Sequence, residues 1–192
     1  MLKQLLPAFR MTLLFTILTG LIYPAAITCL CQLMFPHQAN GSLVKNASGQ
    51  VIGSSLLSQN FARPEYFHPR PSAAGKDGYD GLASGGSNLG PTNPDLTKRL
   101  TSDLAKFRQE NPDFRGPVPA DLLTTSGSGL DPDISPASAE AQAARVAKAR
   151  GVTVERIRDV IARHTEGRTL GVIGEPRVNV LELNLDLDRM KR

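Results

Sequence analysis

A long uncharged apolar segment near the N-terminus constrains this chain more than any other feature. Residues 11–35, MTLLFTILTGLIYPAAITCLCQLMF, contain no charged side chain. A helix of this length is about 37 Å long at 1.5 Å per residue, and a bilayer's hydrocarbon core is about 30 Å thick. It is apolar all round rather than along one stripe, unlike a helix that packs on a core. The segment therefore predicts a transmembrane helix over residues 11–35, followed by a separate domain over residues 36–192.

A cleaved signal peptide is the alternative interpretation of the same segment. The apolar region of a signal peptide is usually about 7–15 residues long, and this one is longer. It also lacks a convincing small-x-small cleavage site, although Pro24-Ala25-Ala26 keeps the alternative open. Gly20 and Pro24 are tolerated in membrane helices. An uncleaved anchor is the favoured interpretation.

Flanking charges predict the orientation of this anchor. Lys3 and Arg10 precede it, and the next basic residue is Lys45. Because positive residues stay on the cytoplasmic side, residues 1–10 are expected to be cytoplasmic and residues 36–192 extracytoplasmic. The cysteines, Cys29 and Cys31, both lie within the anchor, so the exported domain has no disulfide.

The overall charge does not indicate nucleic-acid binding. The formal net charge is +4 and the pI about 9.3, but two of the basic residues precede the apolar segment. The chain has no basic block to follow a phosphate backbone, no Trp and few aromatic residues for base stacking. Nucleic acid is therefore excluded as a partner.

Three helices are predicted in the exported part. The first two begin with an N-cap residue followed by proline, at Asn93 and Ser135. The first is expected to end before Pro112, the second runs to Arg150 with Gly151 as C-cap, and the third covers about residues 154–165. Apolar spacings of three and four predict the buried residues Leu96, Leu100, Leu104 and Phe107 in the first helix, Ala139, Ala143, Val146 and Ala147 in the second, and Val154, Ile157, Val160 and Ile161 in the third.

Strands are predicted in three places. Short apolar runs at residues 43–44 and 51–52, bracketed by turns, indicate a hairpin. A weaker strand is expected near Leu122. The C-terminal VNVLELNLDLD alternates strictly, which predicts a strand with four leucines on its buried face and Glu182, Asn184, Asp186 and Asp188 on its wet face. The fold class is therefore a single N-terminal transmembrane helix followed by one mixed α/β (α+β) soluble domain with a small sheet and about three helices.

Residues 61–94 are rich in Pro and Gly, which leaves two interpretations open. One is a disordered linker. The other, favoured because the segment carries Phe61, Tyr66, Phe67 and Tyr79, is an ordered surface loop that contacts a partner.

The loop TTSGSGLDPDISP resembles a phosphate-binding loop but lacks its chemistry. No lysine follows Gly127 or Gly129, and Pro132 stands where a dinucleotide fingerprint needs a third glycine. Backbone amides at residues 135–137 remain suited to an anion. The favoured interpretation is structural, with the glycines supplying turn conformations and Asp131 and Asp133 forming Asx-type bonds.

No catalytic or metal-binding constellation is predicted. Ser126 and Ser128 have no identifiable pair of base and orienting group, since His68 lies in a rigid FHPRPS run and His164 at the end of the third helix. Separated histidines without a cysteine cluster do not form a transition-metal site. The pattern is typical of an accessory subunit or a sensor.

Several long motifs in order give the chain a specific resemblance. SGGSNLGPTNPDL, VPADLLTTSGSGLDPDISP, RVAKARG after Gln142, and GEPRVNVLELNLDLD resemble the C subunit of the Kdp potassium-transporting P-type ATPase, the KdpC family. The resemblance implies a bacterial inner-membrane accessory subunit, not itself an enzyme, of an ATP-driven K⁺ uptake pump. Its implied partners are a K⁺-conducting subunit and an ATP-hydrolysing subunit. The resemblance implies that it assists their assembly and raises the ATP affinity of the hydrolysing subunit. A nucleotide role is implied for Gln142.

The implied nucleotide role and the predicted topology place Gln142 and ATP on opposite sides of the membrane. A side chain outside cannot reach cytoplasmic ATP across about 30 Å of hydrocarbon. ATP is therefore expected as the substrate of the complex rather than a firmly bound cofactor of this chain, with an effect that acts through a coupling free energy. Gln142 itself is expected to be an exposed helix residue. The alternative function is a free-standing membrane-anchored module that binds a small extracytoplasmic ligand or acts as a sensor.

Overall fold

The computed structural model describes residues 2–46 and 48–190. The chain divides into two compact units, Met1–Ile52 and Gly53–Arg192. An apolar N-terminal helix is followed by a region with small sheets and several helices, which confirms the predicted mixed α/β class.

The N-terminal unit is dominated by one continuous helical rod. A short 3-10 turn, Leu2–Gln4, leads into α1 (Leu5–Ile17), a π-helical turn (Leu18–Ile22) and α2 (Tyr23–Met34). The rod Leu5–Met34 is the one helix in the described ranges that is long and apolar enough to cross a membrane, and none of its apolar window is buried. It contains the predicted span except Phe35 and begins earlier, so that Arg10 lies within it.

The π-helical turn explains how the rod accommodates its helix-breaking residues. Pro24 has no N–H and leaves the carbonyl of Gly20 without its usual partner. The turn widens just before the proline, and Tyr23 N–H donates to Leu18 O five residues back. Thr19 Oγ1 adds a 2.6 Å hydrogen bond to Phe15 O. The helix therefore continues through Gly20 and Pro24.

The predicted hairpin is confirmed after a short helix, α3 (Pro36–Ala39). β1 (Leu43–Lys45) and β2 (Val51–Ser54) form a two-stranded sheet. The side chain of Asn46 organises the connection, because its Oδ1 accepts from Ser48 N at 3.0 Å and Gln50 N at 2.9 Å.

Over its described residues, 53–190, the second unit carries four α-helices and a small sheet. The helices are α4 (Pro94–Glu110), α5 (Pro136–Arg150), α6 (Val154–Arg163) and α7 (Val180–Arg189). β3 (Asp133–Ile134), β4 (Thr165–Glu166) and β5 (Arg177–Asn179) form an antiparallel sheet in the order β3-β5-β4. Both predicted N-caps are confirmed: Asn93 accepts from Asp95 N, and Ser135 from Ser138 N. Gly151 ends α5 in the left-handed conformation, as predicted.

The main core lies between α5, α6, α7 and the sheet. The predicted buried faces of α5 and α6 are confirmed, except that Val154 is only half-buried. A loop residue, Phe67, completes this core. Its largest fully buried side chains are Phe67, Val146, Ile157, Val160, Val178, Leu183 and Leu187.

The predicted C-terminal strand is wrong. Only Arg177–Asn179 is a strand, and α7 follows directly. Residues 180, 183, 184 and 187 are all buried, and their spacings of three and four are those of one helix face. The leucine pattern is therefore compatible with the helical period of about 3.6 residues as well as with the strand period of two. The local capping decides the outcome: Asn179 Oδ1 accepts from Glu182 N at 3.1 Å, the arrangement of a helix N-terminus.

Three smaller predictions are corrected as well. The weak strand near Leu122 is wrong, because Ala120–Leu122 is a 3-10 turn after Pro119. The buried stripe of α4 is incomplete, since Leu104 is 38% exposed and only Phe107 is buried. The third helix ends at Arg163 because Thr165 begins β4 and pairs with Val178.

The segment 61–94 has no helix or strand before α4, yet it is not a linker. Phe67 and Ala74 are completely buried. Both backbone polar groups of Phe67 form hydrogen bonds with the side chain of Asn184. The N–H of Phe67 donates to Oδ1 at 2.8 Å, and its carbonyl oxygen accepts from Nδ2 at 2.9 Å. The segment is therefore ordered by its own domain, and its contact with a partner stays a prediction.

Candidate functional site

Gln142 lies at the centre of a buried polar cluster rather than on an exposed helix face. Its side chain is only 1% exposed, so the predicted exposure is wrong. The side-chain amide forms two hydrogen bonds with the backbone of His68, in the segment 61–94. Oε1 accepts from His68 N at 2.8 Å, and Nε2 donates to His68 O at 3.1 Å. Nε2 also donates to Ser138 O at 3.3 Å, and Oε1 accepts from Arg145 Nη2 at 2.7 Å. Gln142 thus fixes residue 68 against α5.

Arg145 lies three residues further along the same face of α5 and binds more of the same loop. Its Nη1 donates to Pro64 O at 2.7 Å and Tyr66 O at 2.9 Å, and its Nε to Asn111 Oδ1 at 3.0 Å. No carboxylate touches the guanidinium in the described structure, so carbonyl oxygens satisfy its charge. Burial lowers the pKa of Arg145 to about 10, and the nearby charge of Glu110 opposes this shift.

His68 connects the cluster to the end of α4. Its Nδ1 lies 3.3 Å from Glu110 Oε2, and its Nε2 lies 3.2 Å from Arg63 O. Burial lowers the pKa of His68, and the charge of Arg145 lowers it further, against the opposing effect of Glu110. Through its ring contact with Glu110 and the backbone bonds to Gln142, His68 holds the loop to α4 and α5.

A small cleft of about 160 Å³ opens beside this cluster. Binding pockets for small organic molecules are usually about 300–1,000 Å³, so this one is too small for a nucleotide. Burial and the charge of Asp103 raise the pKa of Tyr79 to about 12, and burial also raises the pKa of Asp103. Tyr79 Oη donates to Arg70 O at 2.9 Å, so its hydroxyl is committed to the loop. Besides Tyr79 and Asp103, the residues that line the cleft include Phe61, His68, Pro71, Lys106, Phe107, Glu110, Leu122 and Gln142.

The N-terminus of α5, which the sequence predicts to suit an anion, already binds a carboxylate of the same chain. The carboxylate of Asp121 accepts from Ser135 N at 2.7 Å, from Ser135 Oγ at 3.2 Å and from Ser138 Oγ at 2.6 Å. A carboxylate at this position also complements the positive end of the helix dipole. The N-terminus of α5 is therefore occupied by the chain's own Asp121.

The glycines of the candidate phosphate loop allow two backbones to touch. Gly129 has φ +67°, and a Cβ there would lie 2.5 Å from Gly85 O. Gly85 N donates to Ser128 O at 2.8 Å. Asp131 Oδ1 accepts from Asp133 N at 3.1 Å, which is the predicted Asx-type bond, and Arg70 pairs with Asp131 at 2.8 Å. The structural interpretation is confirmed for Gly129 and Asp131, whereas Asp133 instead accepts from Asn179 Nδ2 at 3.2 Å and pairs with Arg177 at 3.2 Å.

The remaining candidate side chains serve ion pairs or lie apart. His164 is half-buried at the end of α6, as predicted, with Nε2 3.1 Å from Asp186 Oδ2. Asp188 pairs with Arg150 at 2.9 Å, and Glu182 is exposed on α7. Ser126 and Ser128 contact each other, their hydroxyls 3.3 Å apart. In the described ranges no three His, Cys, Asp or Glu residues are grouped to hold a metal ion.

Sequence reasoning missed Arg145, Asn184 and Asp121, which organise the domain. A signal for one of them, Arg145, exists in α5. Ser138, Gln142 and Arg145 follow each other at spacings of four and three, so they share a face of an alanine-rich helix. Alanine lets neighbouring backbones approach closely, and polar residues on such a helix then meet backbone groups. Asn184 had no such signal, because its helix was interpreted as a strand.

Comparisons with known proteins agree along almost the whole chain. A family model described as "KdpC: K+-transporting ATPase, c chain" matches residues 5–189. The chain is 60% identical over 189 residues to the "Potassium-transporting ATPase KdpC subunit" of Myxococcus xanthus, covering 98% of this chain and 89% of the relative. It is 57% identical over 188 residues to the subunit of that name from Caulobacter sp. (strain K31), covering 98% and 94%. Identity to the one from Gemmatimonas aurantiaca is 54% over 190 residues, covering 99% and 94%.

Proposed function

Because the chain belongs to the KdpC family, the c chain of the K⁺-transporting ATPase, we propose that it is a non-catalytic, membrane-anchored accessory subunit of a high-affinity K⁺ uptake pump. In this proposal it assists assembly of the K⁺-conducting and ATP-hydrolysing subunits. It also raises the ATP affinity of the hydrolysing subunit, acting from the opposite side of the membrane.

The observation that carries this proposal is the internal use of Gln142. Its amide makes four hydrogen bonds within the domain and is almost completely buried. Contact with a nucleotide would require these bonds to break, and a buried backbone group left without a partner is expensive. Gln142 therefore supports ATP affinity by holding residue 68 in place, and the effect reaches the hydrolysing subunit as a coupling free energy.

The anchor and its flanking charges support the location. The exposed apolar rod Leu5–Met34 supports a location in the bacterial inner membrane, where it would lie among lipid and partner helices. Lys3 and Arg10 keep the N-terminus cytoplasmic, so the domain after the rod is periplasmic. There it packs over the outer mouth of the K⁺-conducting subunit.

Cysteine labelling tests this topology. Gln142 is buried and unsuitable as a reporter, whereas the side chain of Lys98 on α4 is 78% exposed. We expect Lys98→Cys, in a Cys29→Ala/Cys31→Ala background, to react with an impermeant maleimide in intact cells with a permeabilised outer membrane. Lys3→Cys in the same background is the control and should react only after lysis. The reverse pattern would place the domain in the cytoplasm and overturn the proposal.

Purification separates the pump subunit from the free-standing module. A tagged chain extracted in mild detergent should bring two larger membrane partners and K⁺-stimulated ATPase activity with it. Recovery of the chain alone under conditions that preserve the pump would contradict the accessory role.

A further inference from the structure

An exposed apolar turn lies between β4 and β5, and we call residues 168–175 the apolar finger. Leu170 is 86% exposed, Val172 74% and Ile173 61%. Single exposed aliphatic residues are ordinary on protein surfaces, but contiguous apolar patches mark interaction sites. Three large aliphatic side chains within four positions form such a patch.

The apolar finger is already folded into one shape. Thr169 N donates to Ile173 O at 2.9 Å, and Ile173 N donates to Thr169 O at 3.0 Å. At its base Arg168 Nη2 donates to both carboxylate oxygens of Glu175, at 2.9 and 2.7 Å. Because the turn is closed by these bonds, little ordering entropy remains to be lost on binding, which favours affinity.

The backbone of the apolar finger holds a leucine where one is disfavoured. Leu170 has φ +54°, a left-handed conformation that Gly, Asn and Asp adopt far more readily. The neighbouring Gly171 has φ +78°. A residue that strains its own turn and is exposed adds nothing to this domain's core, so its use lies in what it contacts outside.

The charges around the apolar finger identify the kind of partner. Segments that bind a lipid surface are rich in Lys or Arg for the anionic headgroups, beside apolar residues that commonly include aromatic ones. Residues 168–175 hold no aromatic residue, and their single cation is neutralised by Glu175. An aliphatic tip bordered by a neutral polar pair instead has the composition of a protein interface, with an apolar centre and a polar rim.

We propose that the apolar finger docks into an apolar pocket on another subunit of the K⁺-transporting ATPase. This inference rests on the proposed function, because it requires the chain to work within that assembly. Leu170, Val172 and Ile173 fill the pocket, and the Arg168–Glu175 pair lies at its rim. A few central side chains commonly dominate the affinity of such an interface.

The first test removes the apolar side chains but keeps the turn. The variant Leu170→Asn/Val172→Thr/Ile173→Thr retains the left-handed preference at residue 170 and the β-branched shape at the other two positions. Leu56→Asn is the matched control, because Leu56 is also an exposed leucine, outside the finger. We expect the finger variant to be lost from the immobilised complex at least tenfold faster than wild type during detergent washes, and the Leu56→Asn chain at the wild-type rate.

The results separate the possible failures. Loss of the finger variant at the wild-type rate, or equal acceleration by Leu56→Asn, overturns the finger proposal while the accessory role stands. Failure of the wild-type chain to recover partners contradicts the proposed function itself. A thermal unfolding temperature of the finger variant in detergent that is no lower than that of wild type shows that faster loss reflects the interface and not the fold.

A fluorescent probe separates protein from lipid as the occupant. Val172→Cys in the Cys29→Ala/Cys31→Ala background carries an environment-sensitive fluorophore on the finger. We expect a blue shift in the assembled ATPase and none when the chain alone is reconstituted into vesicles of mixed phosphatidylethanolamine and phosphatidylglycerol, which present both neutral and anionic headgroups. A blue shift in vesicles without partners would overturn the proposal in favour of a lipid contact.

Discussion

Helix α5 and the apolar finger treat polar and apolar side chains in opposite ways. α5 buries Gln142 and Arg145, two of the residue types that proteins usually leave in water. The finger exposes three aliphatic residues that proteins usually bury. Both arrangements are unfavourable unless a partner compensates them: hydrogen-bond acceptors for the first and an apolar surface for the second.

The difference lies in where the compensating partner is found. Around α5 the partners belong to the same domain, namely the carbonyls of Pro64, Tyr66 and His68. An irregular segment such as 61–94 has backbone groups that no helix or strand satisfies, and α5 supplies side chains to satisfy them. The finger has no such partner within the described domain, so its compensation is expected from another chain. The following substitutions test this contrast.

Arg145→Met is expected to have the largest effect on the fold. It removes the donors to Pro64 O, Tyr66 O and Asn111 Oδ1 at once. Leaving several buried acceptors unpaired should lower the free energy of unfolding by about 3–5 kcal/mol. Denaturant unfolding checks this, with Lys148→Met on the exposed side of the same helix as a control expected within about 0.5 kcal/mol of wild type. A loss below about 1 kcal/mol would mean that the loop does not depend on Arg145.

Gln142→Ala and Asn184→Ala form a matched pair with the next largest effect. Asn184 forms two hydrogen bonds with the backbone N–H and carbonyl of Phe67, just as Gln142 does with those of His68. Each variant should lose about 1–3 kcal/mol of stability. In the assembled pump both should raise the KM for ATP by a similar factor, because both release the same loop.

Comparing the KM for ATP of the Gln142→Ala pump with that of the Asn184→Ala pump tests whether Gln142 acts by positioning the loop. Steady-state ATPase kinetics at saturating K⁺ measure it, with Lys148→Met as the unaffected reference. A raised KM for Gln142→Ala together with a wild-type KM for Asn184→Ala would indicate direct nucleotide contact and contradict the positioning role.

The pH dependence of stability should show a smaller effect from His68. Its pKa in the folded state is lowered below the ordinary 6.5, so the unfolded chain binds the proton more tightly. Stability from this group is therefore present above pH 6.5 and is lost as the pH falls through the lowered folded pKa, by at most about 1.4 kcal/mol per pH unit. Urea unfolding of wild type and His68→Gln between pH 5.5 and 7.5 should show a flatter profile for the variant. A steeper one would indicate that His68 is held as the cation by Glu110.

Leu170→Asn alone should have the smallest effect on the fold and the opposite sign. Asn accepts the left-handed conformation that Leu170 adopts, so the domain should gain about 0.5–1 kcal/mol. Thermal unfolding in detergent measures the gain, with Leu56→Asn as the control in an ordinary conformation. Destabilisation by Leu170→Asn would show that the leucine serves the domain's own packing.

The sequence predicted those parts of the fold that local chemistry decides. Asn93 and Ser135 as N-caps, Gly151 as C-cap and the buried faces of α5 and α6 all follow from residues close together in the chain. The failure at residues 180–189 is also local, because leucines at 181, 183 and 187 satisfy both a strand and a helix. The capping pair Asn179 and Glu182 is the local feature that distinguishes the helix from the strand.

The buried cluster depends on contacts that no local pattern reveals. Gln142 is 74 residues from His68, and Asn184 is 117 residues from Phe67. The loop that contains His68 and Phe67 has no periodicity from which its buried side could be read. Gln142 was identified through family resemblance, but its burial and its partners required the structure.

The π-helical turn at Leu18–Ile22 changes the angular phase of the membrane rod. Each residue of an α-helix advances by about 100°, and a π turn inserts about one extra residue. A stripe that starts in α1 at Leu14 is therefore displaced by about 100° when it reaches α2, beyond Tyr23. The two halves of one helix consequently present their matching stripes in different directions, and a neighbour packed along the first half is not the neighbour that faces the second.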